Sequence, residues 1–159
     1  MFVMRLMHSG KDFAVIYERQ DQVSFLDGHV RAFEHFGFVP QRIVYDNLSA
    51  AVRKIVLPRR ELTDRFQALV NHHAYEACFA RPGEGHDKGG VEGRGRGIRL
   101  QQLTPIPTGA SWEEISQALQ ARLDADAERR RDAQGRTVAE RFVDDRAAGK
   151  ALPPTRFEA

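Results

Sequence analysis

Two carboxylates stand where they could hold a metal ion in this 159-residue sequence. Asp46 directly follows the apolar run 42–45, and Glu92 follows the glycine-rich stretch 83–90. Hard cations such as Mg²⁺ prefer carboxylate oxygens, and displacement at phosphorus is well served by two such ions held close together. The pair therefore predicts a metal-dependent phosphoryl-transfer site. Sites of this kind usually need a third carboxylate, and none before Asp46 is a convincing candidate.

Each half of this pair also has a plainer interpretation. Asp46 and Asn47 form a dipeptide that commonly marks a turn after a strand. The glycine-rich stretch is not a Walker loop, because Lys88 is followed by glycine rather than by the Ser or Thr that would reach Mg²⁺. A surface loop with incidental charges is the alternative for this second segment.

Basic residues follow both acidic motifs, which suits a polyanionic substrate held around a cation. Asn47 could orient a carboxylate or contact a phosphate, and Lys88 offers a point charge to phosphate. Either basic cluster taken alone could equally be solvated surface. The clustered residues are Arg53, Lys54, Arg59 and Arg60 after the first motif, and Arg94, Arg96 and Arg99 after the second.

A zinc site is a third possibility, because three histidines and the single cysteine are close in sequence. Their spacings match no standard zinc-finger pattern. His73 also falls on the apolar face of a predicted helix, where a core histidine is the commoner explanation. The four residues are His72, His73, Cys78 and His86.

Composition predicts a soluble, cytoplasmic protein. Hydrophobic residues make up 42% and charged residues 29% of the sequence, and no apolar run approaches the roughly 20 residues of a membrane span. A single cysteine cannot form an internal disulfide, which agrees with a reducing compartment.

The first half of the chain alternates between strand and helix patterns. Residues 2–6 and 13–17 are β-prone runs joined by a Ser-Gly turn and predict an antiparallel hairpin. Apolar spacing predicts a helix over 21–36, ended by Gly37, and then a buried strand over 42–45. The strand before this helix and the strand after it should be parallel.

The second half predicts three more helices and one more strand. Thr63 is a candidate N-cap for a helix that carries Phe66, Leu69 and Val70 on one side, and a strand follows at 76–79. Two capping boxes open further helices, one from Ser111 to about Arg130 with Trp112 on its apolar side, and one from Thr137 to about Arg146. The order of elements indicates a mixed α/β sheet.

Four motifs in order resemble bacterial insertion-sequence transposases of the IstA kind. That family has a DDE catalytic core with the ribonuclease-H-like fold of integrases. The resemblance implies a partial integrase-type core over residues 1–107, incomplete at its N-terminus, followed by a helical C-terminal extension over residues 108–159. The matching segments are residues 2–6, 25–33, 39–48 and 88–92.

Carried over to this sequence, the resemblance makes Asp46 the second and Glu92 the third catalytic carboxylate, both ligands of Mg²⁺ or Mn²⁺. It implies cleavage at transposon ends and strand transfer into target DNA, by a homo-oligomer working with an ATPase helper. Candidate contacts to the DNA backbone are Asn47, Arg53, Lys54, Lys88, Arg94, Arg96 and Arg99.

The first carboxylate of the family is expected on a central strand upstream of Phe2. The 159 residues are therefore expected to be the C-terminal part of a DDE core and to be inactive or very weak by themselves. The alternative function is a non-catalytic nucleic-acid-binding module that uses the two basic clusters.

Overall fold

The computed structural model describes residues 1–45, 60–79 and 109–159. Within them the chain is a mixed α/β protein with four short strands and four helices, which confirms the predicted α/β class. The elements are β1 (Phe2–Arg5), β2 (Asp12–Val15), α1 (Gln22–Phe36), β3 (Arg42–Tyr45), α2 (Arg60–His73), β4 (Glu76–Phe79), α3 (Trp112–Ala127) and α4 (Val138–Ala148).

The chain divides into two compact units, each built from two separate stretches of sequence. The first unit comprises residues 1–18 and 91–148, and the second comprises residues 19–90 and 149–159. The predicted division between residues 107 and 108 lies outside the described residues and stays a prediction. No helix within the described ranges is long and apolar enough to cross a membrane.

The first unit begins with the predicted antiparallel hairpin of β1 and β2, in which Phe2 pairs with Val15. Its turn requires glycine at position 10, where φ is +80°, a value that side-chain-bearing residues rarely adopt. The Gly10 amide donates to the Leu6 carbonyl at 2.7 Å, and the Ser9 hydroxyl accepts from the Lys11 amide at 3.1 Å. Local turn chemistry therefore fixes the register of the hairpin.

Helix α3 covers the outer edge of β2 and takes the place of a neighbouring strand. The Gln120 side chain accepts from the Ala14 amide at 3.0 Å and donates to the Asp12 carbonyl at 3.1 Å. The Ser116 hydroxyl accepts from the Ile16 amide at 2.8 Å and donates to the Ile16 carbonyl at 3.2 Å. These four bonds satisfy backbone groups that an open sheet edge would present to other chains.

Replacing Gln120 with alanine is expected to lower the free energy of unfolding by about 1–3 kcal/mol, the usual cost of leaving buried backbone groups unsatisfied. Chemical denaturation measures the change. The matched control is Gln117→Ala on the exposed side of the same helix, which should change stability by less than about 0.5 kcal/mol. Equal effects of the two substitutions would contradict the edge-covering role of Gln120.

Both predicted N-caps are present in the first unit. The Ser111 hydroxyl accepts from the Glu114 amide at 3.2 Å, and the Thr137 hydroxyl accepts from the Glu140 amide at 3.1 Å. Helix α3 ends at Ala127 rather than near Arg130. Trp112, predicted on its apolar side, is 49% exposed, because it is the first residue of the helix and lies beyond the turns that pack on the hairpin.

The second unit is organised around α1. Asp21 caps the helix by accepting from the Ser24 amide at 2.9 Å, and Gly37 ends it in the left-handed conformation with φ at 84°. These boundaries agree with the sequence prediction. The buried face carries apolar residues at helical spacing, and one histidine lies among them: Leu26, His29, Val30, Phe33 and Phe36.

Strands β3 and β4 form a parallel pair in which Arg42 is opposite Glu76 and Tyr45 is opposite Phe79. Within the described residues β2 pairs with β1 and β3 pairs with β4, so the expected parallel pairing of the strands on either side of α1 is not observed. Helix α2 begins at Arg60, because Arg60, Glu61 and Leu62 are good helix formers. Thr63 is therefore inside the helix, and its predicted role as N-cap was wrong.

The tail, residues 149–159, packs against the rest of the second unit outside any helix or strand named above. Lys150 exchanges two backbone hydrogen bonds of 2.8 Å with Val39. Phe157 is buried, with its ring centroid 5.5 Å from that of His72 and 5.3 Å from the Arg65 guanidinium. Arg156 donates to Glu34 on α1 at 2.9 Å. The tail therefore joins α1, α2 and the strand-entry segment around Val39.

Candidate functional site

The carboxyl ends of β3 and β4 define the edge at which a site is expected. The two strands are parallel, and their last residues, Tyr45 and Phe79, are paired in register. Asp46 is the residue that follows Tyr45, and the glycine-rich stretch leading to Glu92 follows Phe79 in the chain. Parallel sheets place ligand crevices at the carboxyl ends of their strands. The two segments that carry the predicted carboxylates therefore start from the same sheet edge.

The predicted site residues themselves lie outside the described residues, so their positions stay predictions. This applies to the two carboxylates and to every candidate DNA contact in the predicted set: Asp46, Asn47, Arg53, Lys54, Lys88, Glu92, Arg94, Arg96 and Arg99.

Starting from Tyr45 at the end of β3, three buried polar side chains form a continuous hydrogen-bonded chain that the sequence did not reveal. The His29 imidazole Nε2 lies 2.8 Å from the Tyr45 hydroxyl, and that hydroxyl lies 2.7 Å from the hydroxyl of Tyr75. The other ring nitrogen of His29, Nδ1, lies 2.8 Å from the Phe25 carbonyl. The chain, here called the His–Tyr–Tyr relay, links α1, the end of β3 and the residue before β4.

The direction of each bond in the relay follows from the Phe25 carbonyl. A carbonyl only accepts, so Nδ1 of His29 carries the proton and Nε2 must accept. The Tyr45 hydroxyl therefore donates to Nε2, and the Tyr75 hydroxyl donates to the oxygen of Tyr45. This order of donors and acceptors holds for the neutral form of His29.

Burial keeps all three groups of the relay uncharged. Removal from water lowers the pKa of His29 from 6.5 to about 4, with the proximity of His73 lowering it further and the bond to Phe25 opposing the change. Burial also raises the pKa of Tyr45 well above 10.0 and raises the pKa of Tyr75. The relay therefore acts as a fixed hydrogen-bonded connection at neutral pH and does not act as a source of charge.

Aromatic side chains enclose the relay. The Phe25 ring lies 4.8 Å from the His29 ring between centroids, and the Phe66 ring lies 5.4 Å from that of Tyr45 in an edge-to-face contact. Phe33 lies 5.8 Å from Tyr75. Such packing excludes water, which makes each buried hydrogen bond costly to break.

Two of the candidate zinc ligands have other roles in the structure. His73 is buried, as its place on the apolar face predicted, and its Nδ1 donates to the Leu69 carbonyl at 2.9 Å. The Nε2 of His72 donates to the Thr155 carbonyl at 2.7 Å. His86 lies outside the described residues. Within the ranges that the structure describes, no group of three or more His, Cys, Asp or Glu side chains could hold a metal ion.

No family model matches the chain. A transposase for insertion sequences IS1326/IS1353 from Pseudomonas aeruginosa is 31% identical over 151 residues, which is 94% of this chain. The chain is similar to insertion-sequence transposases. The same identity and coverage hold for a transposase for these insertion sequences from Shigella flexneri, and a transposase from Aminobacter aminovorans is 31% identical over 74% of the chain.

The chain spans only part of each of these relatives. The match covers 30% of the transposase from Pseudomonas aeruginosa and 23% of the one from Aminobacter aminovorans. The similarity extends across both compact units of the chain, and most of each relative has no counterpart in these 159 residues.

Proposed function

We propose that these 159 residues are part of the catalytic core of a DDE transposase of the IstA kind, with the ribonuclease-H-like fold of integrases. Asp46 is its second catalytic carboxylate and Glu92 its third. Residues 1–107 belong to the core, and residues 108–159 form a helical C-terminal extension. The similarity to insertion-sequence transposases over 94% of the chain supports this proposal.

The observation that carries the proposal is the parallel pairing of β3 and β4. Their ends meet at one edge, with Asp46 next in sequence after one strand and Glu92 thirteen residues after the other. A carboxylate directly after a parallel strand lies where α/β sheets bind their ligands, and metal-dependent transfer of a phosphodiester requires such carboxylates.

The donor chemistry of the proposed site fits Mg²⁺ or Mn²⁺, because both ligands are carboxylate oxygens. When bound, these ions lower the pKa of an attacking water or 3′-hydroxyl and stabilise the leaving oxygen. Lys88, Arg94, Arg96 and Arg99 would contact DNA phosphates after Glu92, and Asn47, Arg53 and Lys54 would do so after Asp46. The proposed partners are transposon-end and target DNA, further copies of the transposase and an ATPase helper.

Two carboxylates alone do not hold two ions in the geometry of the full triad, so we propose that this chain by itself is inactive or very weak. A strand-transfer assay with transposon-end DNA and Mg²⁺ or Mn²⁺ tests this, and no transfer product is expected from the chain alone. If the chain shows robust strand transfer and Asp46→Asn abolishes it, the proposal of inactivity is wrong. Another residue must then complete the site.

DNA binding separates this proposal from a purely binding role. The proposed site predicts that Mg²⁺ strengthens binding of transposon-end DNA and that Glu92→Gln removes the increase. The alternative is a nucleic-acid-binding module without catalytic activity. It predicts that DNA affinity depends on salt but is changed neither by EDTA nor by Glu92→Gln, because phosphate contacts release counterions and need no metal.

A further inference from the structure

The last residues of the tail contact the second unit as a short peptide ligand would. Among residues 151–159, Phe157 is the one buried residue, and its neighbours are exposed or half-buried. The Phe157 ring packs on α2, with its centroid 5.5 Å from that of His72 and 6.1 Å from that of His73. A segment with a single buried anchor can leave its site without unfolding the rest, because few apolar contacts are lost.

Two side chains of α2 bind the backbone of the tail on either side of this anchor. The His72 imidazole donates to the Thr155 carbonyl at 2.7 Å, and the Arg65 guanidinium donates to the Glu158 carbonyl at 2.7 Å. The Arg65 guanidinium also lies over the Phe157 ring. Bonds to carbonyls fix the path of the backbone and do not depend on which side chains the peptide carries.

Charge complementarity selects the side chain that precedes the anchor. Arg156 donates to Glu34 of α1 at 2.9 Å, and its guanidinium lies 3.9 Å from the Asp27 carboxylate. The side chains of Arg156 and Glu34 are about half exposed, so either charge can be reversed without disturbing the core. The surface therefore fits a peptide in which a cation directly precedes an aromatic residue.

We propose that this surface, here called the tail-binding surface, is a docking site between copies of the chain. It takes residues 155–158 of a second copy in place of the same residues of its own chain. Every copy carries both the surface and the segment that fits it, so reciprocal exchange makes a symmetric pair. The inference goes beyond the proposed function and needs neither metal nor DNA. The surface consists of Asp27, Glu34, Arg65, His72 and His73.

Two full chains with reversed charges test the exchange. Glu34→Arg and Arg156→Glu each place like charges between the tail and the surface of one chain, which weakens docking within that chain. This matters because a chain's own tail competes at an effective concentration on the order of 1 mM. In an equal mixture, the tail of each variant meets an opposite charge on the surface of the other. Sedimentation velocity should show a heterodimer with a dissociation constant at least about tenfold below that of either homodimer.

Three further variants show which contact forms the heterodimer. A chain that carries both charge reversals has matched charges again and should sediment as the unsubstituted chain does. Phe157→Ala, added to both partners, should abolish the heterodimer because it removes the buried anchor. The matched control is Leu152→Ala, which truncates an apolar side chain of the same tail that is 40% exposed. It should change the dissociation constant less than about twofold.

Two results would overturn the docking site between copies. If circular dichroism shows both variants folded and their mixture contains no excess of heterodimer, the tail docks only within its own chain. If the heterodimer persists after Phe157→Ala, the copies associate through another surface. Asp27→Arg replaces Glu34→Arg as the surface variant if the latter does not fold, with the same expected result.

Discussion

A chain carrying Phe33→Ala is expected to lose about 3–5 kcal/mol of unfolding free energy, the usual cost of truncating a buried aromatic side chain. Phe33 is 1% exposed. Its ring lies 4.8 Å from that of His73 and 5.8 Å from that of Tyr75, so the cavity would open beside the relay. Denaturant unfolding followed by circular dichroism measures the loss. A loss this large is comparable to the whole stability of many domains.

The control for Phe33 is Val23→Ala on the same helix. Val23 is 58% exposed, and its truncation should change stability by less than about 0.5 kcal/mol. If Phe33→Ala lowers the free energy of unfolding no more than Val23→Ala does, the structure is contradicted. Helix α1 would then not pack against α2 and the segment before β4 as described.

Acid is expected to destabilise the second unit through His29. The pKa of His29 is about 4 when folded and 6.5 when exposed, so between these values the unfolded state binds more protons. Stability conferred by neutral His29 is therefore fully present above pH 6.5 and is lost as the pH falls to about 4. The loss is on the order of 3 kcal/mol at 1.36 kcal/mol per unit of pKa. Burial lowers the pKa of His73 as well, which acts in the same direction.

Unfolding curves at a series of pH values between 7 and 4 measure this loss. His29→Gln removes the titrating group and should flatten much of the dependence. A pH dependence that His29→Gln leaves unchanged would mean that His29 is not buried as a neutral group.

Local patterns predicted most of the elements. The hairpin followed from two β-prone runs around a Ser-Gly turn, α1 from apolar spacing ended by Gly37, and the last two helices from their capping boxes. Each of these signals lies within a few residues of the element that it specifies. The sequence did not predict the start of α2, because the helix-forming residues 60–62 extend the helix beyond the capping signal at Thr63.

The strand pairing and the relay could not be predicted from the sequence, for a different reason. Which strand joins β3 depends on contacts between distant segments, and a helix between two strands does not decide it. His29 falls in the apolar stripe of α1 and Tyr45 in an apolar strand, so both look like ordinary core residues. Only the fold brings them to 2.8 Å from each other. The one available signal was a tyrosine immediately before the predicted metal ligand.

The candidate site was predicted from the sequence alone, by residue type and by the order of motifs. The structure adds that β3 and β4 are parallel and end together, and the comparisons add similarity to transposases over 94% of the chain. Asp46 and Glu92 themselves lie outside the described residues, and their convergence on a shared cation stays a proposal.

A Mn²⁺ titration of the full chain and three variants tests that convergence most directly. Asp46→Asn and Glu92→Gln are each expected to weaken binding at least tenfold, because each removes one of two carboxylate ligands. The control, Asp64→Asn, changes an exposed carboxylate on α2 and should leave the affinity within twofold of the unsubstituted chain. Equal affinities in all four proteins would contradict the assignment of Asp46 and Glu92 as a shared metal site.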